Sequence, residues 1–158
     1  MKIKRLLNLI LCLPITLNVL AQDNWQLVWS DEFNTDGALD SSVWNFEQGY
    51  ARNEEAQWYQ ANAVCKDGCL VIEARKEENR KNPLYVSGSN DWRKRRELIE
   101  YTSSSVTTAG KKEFLYGRFE VKARIPVAKG AWPAIWTLGS GIDWPSCCEI
   151  DIMVYYNI

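Results

Sequence analysis

Histidine is absent from all 158 residues. That removes the imidazole base of Ser-His-Asp and Cys-His nucleophile systems, and with it the usual His-rich zinc sites. Acid–base work in this chain therefore falls to carboxylates. Basic charge is not in excess: 19 Lys and Arg stand against 20 Asp and Glu. Nucleic acid is disfavoured as a partner, because phosphate contacts need a surplus of Lys and Arg. Helical periodicity is missing as well, since no window of about eleven residues repeats its apolar positions at helix spacing. Beyond Leu20 no apolar run is long enough to cross a bilayer.

What is present begins at the N-terminus. Lys2, Lys4 and Arg5 precede an apolar run from Leu6 to Leu20, and Val19-Leu20-Ala21 resembles a small-residue cleavage site before Gln22. This is the three-part pattern of a secretory signal peptide. Asn8, Pro14, Thr16 and Asn18 interrupt the run and argue against a transmembrane anchor. We expect residues 1–21 to be removed, leaving residues 22–158 as one secreted or periplasmic domain with no membrane attachment. The remainder carries 16 basic against 20 acidic residues, a net charge of −4. It is long enough for one domain, and a monomer is expected.

Four cysteines follow the signal: Cys65, Cys69, Cys147 and Cys148. Cys65 and Cys69 flank Lys66-Asp67-Gly68, a turn signal between two β-like runs. A three-residue loop would set them opposite each other, as a disulfide needs in an oxidising compartment. Two small buried residues are the other reading. Eight tryptophans also lie beyond the signal: Trp25, Trp29, Trp44, Trp58, Trp92, Trp132, Trp136 and Trp144. So many indoles in a short chain suggest a cleft for a ligand with flat apolar faces and hydroxyl rims, such as a sugar.

Strand patterns dominate. Trp25–Trp29 alternates, Trp58–Gln60 and Cys69–Ala74 read as short strands, and Ile99–Thr108 is rich in Thr, Ser, Val and Tyr. Residues 76–97 read as a long polar loop containing the basic cluster Arg93-Lys94-Arg95-Arg96, a solvated face or else a contact for an acidic polymer. Gly117–Ile125 is the clearest strand, with Phe119, Val121, Ala123 and Ile125 on one side and Arg118, Glu120, Lys122 and Arg124 on the other. Trp132–Leu138 and Ile150–Tyr156 complete the set. Many short strands with turn signals predict a β-sandwich.

Within the last run, Glu149 and Asp151 stand two apart. Residues i and i+2 of a strand share a face, so both carboxylates emerge together while Ile150 and Ile152 should point into a core. Paired acids on an apolar strand are costly unless they act.

At this point the chain resembles glycoside hydrolase family 16, the laminarinase and lichenase type of β-glucanase. The matching segments are Trp29-Ser30-Asp31-Glu32-Phe33, Asn53–Tyr59, Asp67–Ala74, Tyr116–Glu120, Ala131–Trp136, Trp144-Pro145 and Glu149–Met153. Their order and spacing span nearly the whole mature chain. The resemblance implies an all-β, concanavalin-like jelly-roll sandwich with a glycan cleft, β-glucan or a related polysaccharide as partner, and a retaining endo-hydrolysis. In the family motif E-x-D-x-x-E it makes Glu149 the nucleophile and Asp151 its assistant, with Trp132, Trp136 and Asn53 as substrate contacts. Glu32 resembles a structural N-terminal acid. The family often binds a structural calcium; neither that nor any cofactor is predicted for this chain.

Four departures qualify the match. The acid/base position is held by Val154, which neither protonates a leaving oxygen nor activates water. An unbroken strand would send i+5 to the opposite face, so one bulged residue, taken as Met153, should return position 154 to the cleft face. In the family this brings the two carboxyls to about 5–5.5 Å. Cys148 replaces a frequent glycine, and Ser105 stands where many members have arginine. Family domains also continue well past this motif, so the jelly roll is expected to be incomplete at its C-terminal side. The expected product is a weakly active or inactive hydrolase. A non-catalytic glycan-binding protein on the same scaffold is the alternative.

Overall fold

The computed structural model describes residues 25–52 and 54–157. The expected signal peptide and Asn53 lie outside the described residues. Met1–Asp31 and Glu32–Ile158 form two separate units. In the first, the alternating stretch Trp25–Trp29 forms no strand. Everything below concerns the second.

Nine short strands make up its regular structure, and no helix occurs among the described residues. They are β1 (Asn45–Phe46), β2 (Gln57–Tyr59), β3 (Ala63–Lys66), β4 (Cys69–Ile72), β5 (Arg75–Lys81), β6 (Leu98–Ser103), β7 (Val106–Thr107), β8 (Ala134–Leu138) and β9 (Glu149–Val154). β6 is central to a three-stranded sheet, parallel to β2 and antiparallel to β5. β1 pairs with β7, β3 with β4 and β8 with β9, all antiparallel.

The best-packed residues sit on β6. Ile99 is only 1% exposed, and Thr102 is fully buried. A buried hydroxyl must find partners. Thr102 accepts a hydrogen bond from Asn62 Nδ2 at 2.9 Å and donates one to Glu77 Oε1 at 2.5 Å. Leu39, Tyr50, Tyr59, Cys65 and Cys147 complete the buried apolar set.

Four expectations need correction. First, residues 75–81, assigned mostly to a loop, form β5. Its charged sequence hides it, because the strand is held by backbone pairing to β6 and keeps nearly all its side chains in water. Charges of this kind are usual on an edge strand.

Second, Gly117–Ile125 forms no strand, and Phe119 and Val121 are exposed. Alternation marks two faces, but a strand also needs a neighbour for its N–H and C=O groups. No described strand pairs with this segment.

Third, Cys65 and Cys69 do not bridge. Asp67 and Gly68 both have positive φ, 53° and 69°. They form the two-residue hairpin turn that Asp-Gly favours, not a three-residue loop. Cys69 therefore pairs with Lys66, and Cys65 with Leu70. The two thiols fall on opposite faces, Cys65 buried and Cys69 exposed.

Fourth, Ile150 is 66% exposed and Ile152 38% exposed. Among the described strands theirs has a single neighbour, β8, and both side chains reach solvent.

Candidate active site

The hairpin β8–β9 carries the predicted carboxylates. Leu138 pairs with Glu149, Thr137 with Ile150 and Trp136 with Asp151. The register then slips, and Ile135 pairs with Met153 and Ala134 with Val154. The extra residue is Ile152, one position before the one expected. Two residues of β9 oppose one of β8, which is the definition of a bulge. Directly opposed residues share a face. Glu149, Asp151 and Val154 therefore stand on the face of Ala134, Trp136 and Leu138. Without the bulge Val154 would face the other way.

Pairing continues past the strand ends. Tyr155 N–H donates to the Pro133 carbonyl at 3.1 Å and Asn157 N–H to the Ala131 carbonyl at 3.3 Å. Trp132 thus lies opposite Tyr156, their ring centroids 6.1 Å apart. Trp132 is outside β8 proper but keeps the same face as Trp136 by alternation. Asn53, the remaining predicted substrate contact, is not among the described residues.

The turn leading into β9 is tight. A Cβ at Gly139 would come within 2.1 Å of the Cys147 carbonyl oxygen, so only glycine fits there. Cys148, just before Glu149, has φ of 66°. This left-handed geometry explains why glycine suits the position and why a cysteine there is strained. Trp144 in the same turn donates its indole N–H to Glu149 Oε2 at 2.9 Å. One carboxylate oxygen is thereby held, and Oε1 is left outside that contact. The sequence motif includes Trp144 but does not reveal this role.

A second polar group meets the hairpin. Arg52 pairs with Glu47, and Ser105 Oγ donates to the same carboxylate oxygen. Arg52 Nη1 also donates to Tyr59 Oη at 3.4 Å, while that hydroxyl donates to Glu55 at 2.7 Å. Burial raises the Tyr59 phenol to about 12, with the bond to Glu55 adding to the shift. Burial is the largest influence on Arg52 and opposes its charge, but the bond to Glu47, the charge of Glu47 and the nearby Tyr59 and Glu55 together outweigh it and hold the guanidinium above its ordinary value. The basic cluster of Arg93–Arg96 is partly neutralised. Arg95 pairs with Glu54, Arg93 and Lys94 with Asp91, and Arg96 with Glu100.

An all-β chain that sets two acids beside tryptophans on one face of a bulged hairpin is built as a β-glycoside hydrolase is. More narrowly, the chain belongs to glycosyl hydrolases family 16, whose sequence profile matches residues 50–155. Its fold is accordingly that family's jelly-roll β-sandwich. The chain is 40% identical over 142 residues to a β-glucanase of Rhodothermus marinus, covering 82% of this chain and 43% of that one. A solved structure from work on endo-acting O-glycanases of the human gut microbiota, which initiate mucin breakdown, superposes with a TM-score of 0.73 at 42% identity. That match covers 84% of this chain and 49% of the other. A non-specific endo-β-1,3(4)-glucanase of family 16, crystallised with a glucan oligosaccharide at its active site, gives a TM-score of 0.67 at 32% identity. It covers 85% of this chain and 53% of the other. The chain thus spans about half the length of these proteins.

Proposed function

We propose that this chain carries the nucleophile half of a secreted, retaining β-glucan endo-hydrolase. The bulge at Ile152 carries this assignment, because it puts positions 149, 151 and 154 on one face. A Glu149 oxygen attacks the anomeric carbon, the glycosidic C–O bond breaks, and a glycosyl ester forms. Water later hydrolyses that ester. Asp151 assists from the same face, the Trp144 indole fixes the attacking carboxylate, and Trp132 and Trp136 offer stacking surfaces.

Val154 limits the reaction. The leaving oxygen must depart without a proton, so only good leaving groups escape readily. An activated aryl β-glucan oligosaccharide should therefore release its phenol and leave a Glu149 adduct detectable by mass spectrometry. Laminarin should be cut slowly. Val154→Glu should raise laminarin hydrolysis by about 10²–10⁴-fold, the usual contribution of a general acid–base group. Laminarin binding with neither phenol release nor adduct would refute catalysis. It would favour the glycan-binding alternative, to which Val154 itself lends weight. Export rests on residues 1–21 acting as a signal peptide. The test is N-terminal sequencing of the exported protein, which should begin at Gln22.

A further inference from the structure

Arg52 precedes β2 and Trp136 lies in β8, in sheets that share no strand. The two side chains nevertheless meet. The guanidinium carbon lies 5.4 Å from a Trp136 ring centroid, over its face, and 5.3 Å from that of Tyr59. Ring quadrupoles attract a cation placed this way. The planar fork is also tied down, by its ion pair with Glu47 and its bond to the Tyr59 hydroxyl. A cation bound at its donors and flanked by two rings has little freedom to leave.

Trp136 is the direct partner of Asp151 and shares a face with Glu149. Resting on the glycan-cleaving function proposed above, we infer that Arg52 is a positioning residue for the Trp136 platform. It covers one face of the indole and fixes the ring. The other face remains as a single stacking surface for one hexopyranose beside the carboxylates. Fixing the ring beforehand removes an ordering cost from sugar binding. Glu47 already neutralises Arg52, so the device suits a neutral sugar and gives no preference for a sulfated or carboxylated one.

The test uses the full chain labelled with 5-fluorotryptophan, with Trp136→Phe identifying the Trp136 fluorine resonance. Arg52→Met should displace that resonance and weaken binding of a β-1,3-glucan hexasaccharide roughly 2- to 30-fold, the range of a cation–π contact. Arg52→Lys should fall between the two. Glu47→Gln, which keeps both rings and the cation, should move the same resonance in the same direction by less, and serves if Arg52→Met fails to fold. An unmoved Trp136 resonance in Arg52→Met and Glu47→Gln overturns the proposal. So does a moved resonance with unchanged affinity while Trp136→Phe weakens binding. If Trp136→Phe binds the hexasaccharide as well as the unaltered chain, the sugar platform itself is wrong. The proposal then falls with it, even though the fluorine signal moves.

Discussion

The sheet β2–β6–β5 and the hairpin β8–β9 solve the same problem differently. The sheet gives its central strand a neighbour on each side and buries Ile99 and Thr102 on it. The hairpin has one neighbour per strand and leaves Ile150 and Trp144 largely in solvent. Yet the hairpin holds the more exact functional geometry, with a bulge, a left-handed Cys148 and an indole bonded to a carboxylate. Stability and the proposed chemistry thus reside in different parts of the chain. Apolar burial makes the first, while backbone pairing and turn geometry make the second. Arg52 links them, through Tyr59 on the sheet and Trp136 on the hairpin.

The sharpest way to break this contrast is a matched pair of truncations. Ile99→Ala should destabilise the fold by about 2–5 kcal/mol, the range for a buried large-to-small change. Ile150→Ala should stay within about 0.5 kcal/mol, as exposed positions do. Denaturant midpoints measure both. An equal loss at the two positions would mean that something covers the hairpin face in solution.

A smaller effect is expected at high pH, on the sheet side only. The Tyr59 phenol is raised from 10.0 to about 12. Between those values the unfolded chain releases this proton while the folded chain keeps it, so stability falls as pH rises. The contribution is complete below pH 10 and amounts to roughly 2–3 kcal/mol. Burial raises Tyr50 as well, so absorbance at 295 nm should show more than one tyrosine ionising late; Tyr59→Phe should remove the step near 12 and reduce the alkaline loss.

The smallest effect belongs to the hairpin. Cys148→Gly relieves a left-handed Cβ but frees the unfolded chain, so a net gain of up to about 1 kcal/mol is expected. A thermal shift of a few degrees would register it. A loss would mean that the cysteine side chain contributes contacts that outweigh its strain.

The sequence made the hairpin legible in unequal parts. Glu149 and Asp151 on one face follow from alternation alone, and the need for a bulge follows only from the resemblance, whose motif E-x-D-x-x-E asks position 154 to share that face. Its location at Ile152 does not, because neighbouring apolar residues of similar β-propensity do not say which one will stand unpaired. Gly117–Ile125 misled for a different reason. Period-two patterning reports faces, not partners. β5 was hidden because an edge strand needs no apolar face at all. The Cys65–Cys69 pairing failed on the length of one turn, where Asp-Gly closes the hairpin in two residues. The Arg52–Trp136 contact left no local trace, since it joins distant segments through a cation and a ring rather than through any pattern.

The bulge has a consequence for how this site changes over generations. The direction in which position 154 points is set by backbone phase, so the identity of its side chain can drift without disturbing the hairpin. The valine codons GTA and GTG become glutamate codons by a single base change at the second position. Where the codon is one of these, a single mutation would place a carboxylate at position 154, on the face that the extra residue in the strand gives it.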